Sequence, residues 1–583
     1  MHRVGSVSAL QRPMPVSIAF LAAFVVHLPL LLMKLPLKSY DTNFHIFFAS
    51  HYAQHWFDPW NPKWYAGFSQ TTYPPLPQQW TALFSYLTGL DMAYMLVQFI
   101  AILLLALGVY RFAQLWVDRR AASLAALASV LLGSECFLVY SAGQLSTTFA
   151  APLYLNALPY LYQWIRHNNW RSLFKGAALS VAAAAAHHAT LLFGAFLFAV
   201  PVFALALMDR RNGERASLSG VLFRSTIAAV FVGVAIAIVL APFWIALYNY
   251  PVTQTPIPHP SRSNYLFNPE WGLNYFVIPY GAIILALPWI VWRGSMMPRL
   301  RPLLLGFWLA FLMGLGGTTP VARMLLGRAF EVLTMERFAY WASLLALPFV
   351  GLLAVELIER FRFKAVVGLT LAAGVSCAIA VAWATYRPAD ASDFKVDSVA
   401  SWLNRDGHDH YRYITLGFGN KISRLAVLTD ASSLDGEWNS GRMLPELTQH
   451  GAGALTSSKY FGKPGLDALN AILRHADHYG LKWVFLRDPY YEPLLVFAGW
   501  RRVDDLEDRT ITVWSKDDVP PATPVNAPQV PPAWHGLLWG ILPIGSSIAA
   551  MLLVLLPDKK PVRAGVPRTE SASEGLALGR LIS

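Results

Sequence analysis

Ser39–Pro77 reads S-Y-D-T-N-F-H-I-F-F-A-S-H-Y-A-Q-H-W-F-D-P-W-N-P-K-W-Y-A-G-F-S-Q-T-T-Y-P-P-L-P, the longest polar interruption in the N-terminal third of the chain. It follows the first apolar run, is dense in aromatics, histidines and prolines, and counts Asp41, Asp58 and Lys63 among its few charges. A connection of this length inside a hydrophobic chain is functional or disordered, and its aromatic content argues against disorder. The expectation is a loop that carries the chemistry, with Asp41 as its central residue.

The surrounding composition decides what kind of chain holds this loop. The 583 residues are 55% hydrophobic and only 14% charged, against about 25% charged in ordinary soluble proteins. That reads as an integral membrane protein. The formal charge of +12 fits basic cytoplasmic loops, and the scattered arginines and lysines form no stripe that would track nucleic-acid phosphates. Cys136 and Cys377 each sit in an apolar run, which supports neither a disulfide framework nor a cysteine metal site. No G-x-x-x-x-G-K-[ST], G-x-G-x-x-G or G-x-S-x-G pattern occurs, so ATP-driven transport, a nucleotide cofactor and serine hydrolysis have no support.

Apolar runs near the ~20 residues that span a bilayer fall at 15–33, 92–117, 121–140, 144–165, 172–187, 189–208, 225–248, 274–292, 302–316, 338–358, 365–385 and 534–556. With a cytoplasmic N-terminus, the clusters Arg119-Arg120, Arg166/Arg171/Lys175, Arg210/Arg211/Arg215/Arg224, Arg293/Arg299/Arg301, Arg360/Arg362/Lys364 and Lys559/Lys560/Arg563 all land inside. The expected fold is mainly α, a polytopic bundle of about twelve spans with both termini cytoplasmic. Residues 1–385 form the transmembrane domain, with a first outer loop at 34–80. Residues 386–519 turn polar and read as a small extracytoplasmic α/β domain, with strands at Tyr411–Leu416, Leu425–Thr429, Trp483–Leu486 and Thr510–Trp514, and helices at Val396–Asn404 and Gly465–His475. A proline-rich linker at 520–533 leads to the final span at 534–556, and 557–583 reads as a disordered cytoplasmic tail.

Candidate site residues gather on the outer side. Asp41 has two readings: the N-cap of a helix over Thr42–Phe57, which local pattern favours, or a general base in a partly desolvated site. His45 would lie one turn from it. Trp64 and Tyr73 offer flat faces to sugar or isoprenoid, or else pack the loop onto the membrane surface. His188 sits beside His187 at an outer helix end, where a cavity-facing role competes with that of a satisfied core histidine. Arg262 and Arg337 break the inside bias and suit phosphate; Glu336 and Arg337 open a span, where a plain ion pair is the simpler reading.

Tyr40-Asp41-Thr42-Asn43-Phe44-His45, Asn61-Pro62, Trp64, Gly67 and Tyr73-Pro74-Pro75-Leu76, with Glu336-Arg337-Phe338 later, resemble a bacterial membrane family labelled "6-pyruvoyl-tetrahydropterin synthase-related", which is similar to the GT-C glycosyltransferases. The resemblance implies a GT-C fold whose first outer loop is an active site at the surface of the bacterial plasma membrane. It implies transfer of a sugar, with inversion, from a polyprenyl-phosphate donor to a glycan, lipid or protein acceptor, with Asp41 at the catalytic position. Many GT-C members carry paired acids there, whereas the next acid here is Asp58; a divalent metal such as Mg or Mn stays open. The rivals are a non-catalytic carrier or flippase, which would place polar residues deep in several spans, and an assembly protein for lipid-linked envelope glycans.

Overall fold

The computed structural model describes residues 16–211, 214–215, 217–251, 258–386, 394–450 and 453–557. The basic residues Arg3 and Arg12 and the expected tail after Pro557 lie outside this range.

A helix covers each of the twelve apolar runs. Among the described residues, seven helices are long and apolar enough to cross a membrane, or eight if Pro269–Tyr280 and Ile283–Met296, bent by 65°, count as one. The bend falls at Gly281, whose φ of +47° breaks the helix. The other runs give shorter or more polar helices, among them α1 (Ser17–Leu32), Trp170–Ala186 and Arg301–Gly314. Leu218–Val239 buries only Val221 and Ala228 and turns the rest of its apolar surface outward. An exposed apolar face of that extent is tolerated in lipid, not in water. Leu145–His167, by contrast, is buried without a break from Leu145 to Tyr160 and forms the middle of the bundle.

The polar segment after 394 builds a four-stranded sheet of β1 (Arg412–Leu416), β2 (Leu481–Leu486), β3 (Arg501–Leu506) and β4 (Ile511–Ser515), in spatial order β1-β2-β4-β3. β1 and β2 are parallel; the other pairings are antiparallel. One expected strand is corrected. Leu425–Thr429 belongs to a helix, Lys421–Leu428, that buries Ile422, Leu425 and Ala426. That spacing of three and four is helical, and the short apolar run had concealed it. β3 escaped notice because R-R-V-D-D-L is a charged edge strand.

Between bundle and sheet lies the opening stretch. It forms α2 (Thr42–Gln54), a loop with a short antiparallel pair (Trp60–Asn61 with Phe68–Ser69), and α3 (Leu76–Thr88), which leads into α4 (Leu90–Ala113). Thr42 to Tyr52 are all buried, the mark of a helix covered on every side. α3 flanks it, and the Lys421–Leu428 helix packs across it.

Candidate active site at the Asp41 loop

The aromatic residues of the loop turn inward. Phe44, Phe47, Phe48, Trp64, Tyr65 and Phe68 share one core with Ile414, Leu416, Ala426 and Leu434 of the α/β unit. Trp64 is fully buried and stacks on Phe47 with ring centres 4.0 Å apart. The expectation that it offers a face to substrate is therefore corrected: its indole is the plug that joins loop to sheet. Hydrogen bonds to the loop's carbonyls fasten the same joint, Ser433 N–H donating to Lys63 O at 2.8 Å and the Asn526 side-chain Nδ2 donating to Tyr65 O and Gly67 O at 2.9 and 3.0 Å. They hold Tyr65 and Ala66 in left-handed backbone (φ +56° and +59°), which costs of order 1–3 kcal/mol per residue.

Asp41 is placed by its neighbours across the bundle. Tyr40 N–H donates to Ser141 O at 3.1 Å and Asp41 N–H to Ala142 O at 2.9 Å. Ser39, Thr42 and Tyr94 hydroxyls form a buried chain ending on Gly143 O. Gly143 is required here. Its φ is +72°, and a Cβ would stand 2.3 Å from Ser39 Oγ and 2.7 Å from Thr42 N. Gly143→Ala should lower the melting temperature and displace the Asp41 segment. Gly89→Ala is the control: its φ is +76°, but nothing lies within 4 Å of the new Cβ, so it reports backbone strain alone.

The helix-cap reading of Asp41 fails on geometry. Asp41 already has helical φ and ψ (−95°, −6°), and its side chain caps nothing; a capping residue needs extended backbone to fold its side chain over the first turn. The carboxylate is partly accessible, enclosed by protein, and has no hydrogen-bond partner among the described residues. Burial pushes it up to about 7; the Arg337 guanidinium opposes that rise and Glu336 adds to it.

The residue after Gly143 supplies the other half. Gln144 Nε2 donates to Glu336 Oε1 at 2.7 Å, and Arg337 Nε donates to Gln144 Oε1 at 3.0 Å. Thr334 Oγ1 also donates to Glu336. One buried amide thus binds both members of the expected Glu–Arg pair. Both Nη groups of Arg337 stay unpartnered among the described residues, on a side chain only partly buried. The Arg337 charge is felt at Asp41, His45, Tyr73 and His187.

His45 is 1% exposed. The Gln78 amide donates to the carbonyls of Pro74 and Pro75 (3.0 and 3.2 Å), and its oxygen accepts from His45 Nδ1 at 2.8 Å. That bond keeps the proton on Nδ1 and leaves the Nε2 lone pair free. Burial, then Arg337, pulls the imidazole down to about 3, so it is neutral. Tyr73 donates to Ser146 Oγ at 3.2 Å and keeps part of its ring exposed.

The expected phosphate contact at Arg262 is corrected. His188 packs edge-on against Phe243, ring centres 4.5 Å apart, with its Nε2 buried and without a hydrogen-bond partner among the described residues. His187, in the extended break between two helices (φ −163°), feels Arg337 and His45. Arg262 Nη1 donates to Phe330 O and Leu333 O at 3.2 and 3.1 Å, so it shapes the loop before Glu336. Sequence reading missed Gln144 and Gly143, although a Gly-Gln break between two apolar runs is a signal of its own. It also missed Glu135, fully buried inside an apolar run beside the Tyr340 hydroxyl. Among the described residues no group of three or more His, Cys, Asp or Glu is arranged to hold a metal ion. Asp58 is exposed and accepts from Trp60 N–H, so it does not pair with Asp41.

No protein-family model matches the sequence, and no curated protein matches it significantly. Among solved structures the fold is similar to arabinofuranosyltransferase AftD from Mycobacteria (TM-score 0.51, 14% identity, 88% of this chain) and to ArnT from Cupriavidus metallidurans in the apo state (TM-score 0.51, 13% identity, 86% of this chain). The match takes in 96% of ArnT but only 40% of AftD, so this chain spans well under half the length of the latter. At such identities the likeness is one of fold. The fold shared with these two proteins is a polytopic helical one.

Proposed function

We propose that the chain is a glycosyltransferase that moves a sugar from a polyprenyl-phosphate donor to an acceptor hydroxyl at the outer face of the bacterial plasma membrane. The observation that carries this reading is the pairing of Asp41, a partly open carboxylate without a hydrogen-bond partner, with the free guanidinium fork of Arg337. Both are fixed to the segment 141–144. Asp41 takes the proton of the acceptor hydroxyl, and the oxygen attacks the anomeric carbon from the face opposite the phosphate. The bond from that carbon to the phosphate oxygen breaks, and polyprenyl phosphate leaves with the electron pair toward Arg337 Nη. The neutral His45 positions the loop. The donor class follows the GT-C resemblance, as does membership of the "6-pyruvoyl-tetrahydropterin synthase-related" branch. The twelve-span topology, both termini inside and the α/β unit (386–519) outside, rests on the distribution of basic residues.

A carrier moves its cargo without cleaving it, so chemistry separates the two readings. The protein in vesicles, given a panel of undecaprenyl-phosphate sugars together with a panel of hydroxyl-bearing glycan and lipid acceptors, should release free undecaprenyl phosphate as the sugar passes to an acceptor. The rate should rise with pH as Asp41 loses its proton and level off above about 7. Vesicle-to-vesicle movement of intact lipid-linked sugar, with no undecaprenyl phosphate released, would overturn the assignment.

A further inference from the structure

The parallel strands β1 and β2 end side by side, and a cavity of about 890 Å³ opens there. The carboxyl ends of parallel strands are where α/β sheets bind ligands, because the chains leaving them diverge. Gly417-Phe418-Gly419-Asn420 leaves β1 and Arg487-Asp488 leaves β2, and both line the cavity. Arg487 N–H donates to Leu416 O at 2.9 Å, so the two strand ends are tied at the rim. Gly417 (φ +84°) permits this approach, since its Cβ would stand 2.5 Å from Asp488 Cβ. The opposite wall is Tyr40, the residue before Asp41; Asn420 Nδ2 donates to Ser39 O and Tyr40 O at 3.3 and 3.2 Å.

The charges in the cavity do not cancel. Lys459 is paired with Asp488, and Glu437, which accepts from Ser423, keeps its negative charge, so three cations face two acids. The Arg487 and Arg509 guanidinium groups have no hydrogen bond or ion pair among the described residues. The Arg487 guanidinium lies over the Phe394 ring at 4.5 Å and its Nε is buried without a partner. Tyr40 and Tyr460 are 59% and 72% exposed, so their rings are open to a ligand. Unpaired guanidinium forks select carboxylate or phosphate, and open tyrosine rings with hydroxyl and amide neighbours suit a pyranose. Another cavity, about 580 Å³, is lined mostly by apolar residues such as Leu131, Leu347 and Leu369, with Lys364 its one charged group.

We infer that this cavity is a binding site for an anionic sugar, a hydroxyl-rich ring carrying a carboxylate or a phosphate, and that it holds the acceptor beside the Asp41 loop. The acceptor role rests on the transfer reading above; the anionic-sugar site does not. The full-length protein in nanodiscs is titrated with glucuronate, glucose 6-phosphate and glucose. At least one anionic sugar should bind roughly ten-fold or more tightly than glucose, the worth of one charge-assisted hydrogen bond. Arg487→Gln should remove that preference. Because Arg487 also packs on Phe394, Arg509→Gln is the second variant; its side chain is exposed, and it should weaken the anionic sugars without lowering the melting temperature. Equal binding of glucose, or an anionic preference that survives both substitutions, overturns the inference. Asp41→Asn separates the two readings. Loss of transfer without any anionic preference sinks only the cavity site, and an arginine-dependent preference with intact transfer in Asp41→Asn sinks only the mechanism.

Discussion

Asp41→Asn is expected to lower sugar transfer by roughly 10²–10⁴-fold, the usual worth of a positioned general base, while making the protein more stable above neutral pH. The two effects have one cause. The carboxyl sits at about 7 in the folded chain against an ordinary 3.8, chiefly through burial. A group whose folded value is raised holds its proton more tightly in the native state. Its contribution to stability is therefore complete below about 4 and is lost as pH climbs through about 7. Asparagine never ionises, so the melting temperature of the variant should gain on the wild type between those limits and stay ahead above them. A structural cap would leave both stability and transfer little changed, because asparagine caps a helix as well as aspartate does. Parallel melting and transfer curves across pH distinguish the cases, and undiminished transfer ends the assignment of Asp41 as base.

The sequence revealed much of the architecture and less of the site, for reasons visible in single residues. Spans announce themselves because lipid demands a long apolar run, and each of the twelve runs holds helix. Among the described residues seven helices, or eight with the bent pair, are long and apolar enough to cross a membrane. Burial inside a protein leaves no such mark on an aromatic residue. Trp64 could serve as a sugar platform, a membrane anchor or core; what decides is the Ile414–Leu434 surface, about 350 or more positions away in the chain. Asp41 and Arg337 were each legible as exceptions to the local rule, an acid in an aromatic loop and a cation where the charge pattern expects few. Their common anchor was not, because Gln144 has meaning only once Gly143 is packed against Ser39 and Thr42. The choice between His187 and His188 was likewise hidden. A single extended residue decides which ring faces the site.

Arg337→Ala should reduce kcat by roughly 10²–10³-fold, the usual cost of losing one electrostatic stabiliser of a developing anion. Arg337→Lys should fall between, since an ammonium keeps the charge but not the planar fork. The pH profile carries the sharper test. Arg337 opposes the burial that raises Asp41, so removing the guanidinium should push the carboxyl further up. The acid limb of the alanine variant should then move above about 7, while that of the lysine variant stays closer to the wild type. A residue that only finishes the end of the Glu336–Phe361 helix predicts something else: a lower melting temperature in both variants and a limb that does not move. Gln144 would keep its bond to Glu336 in either variant, which holds the helix end in place and leaves the missing charge as the main difference. An unshifted limb in Arg337→Ala would mean that the two residues are not coupled, and the phosphate would then need another partner.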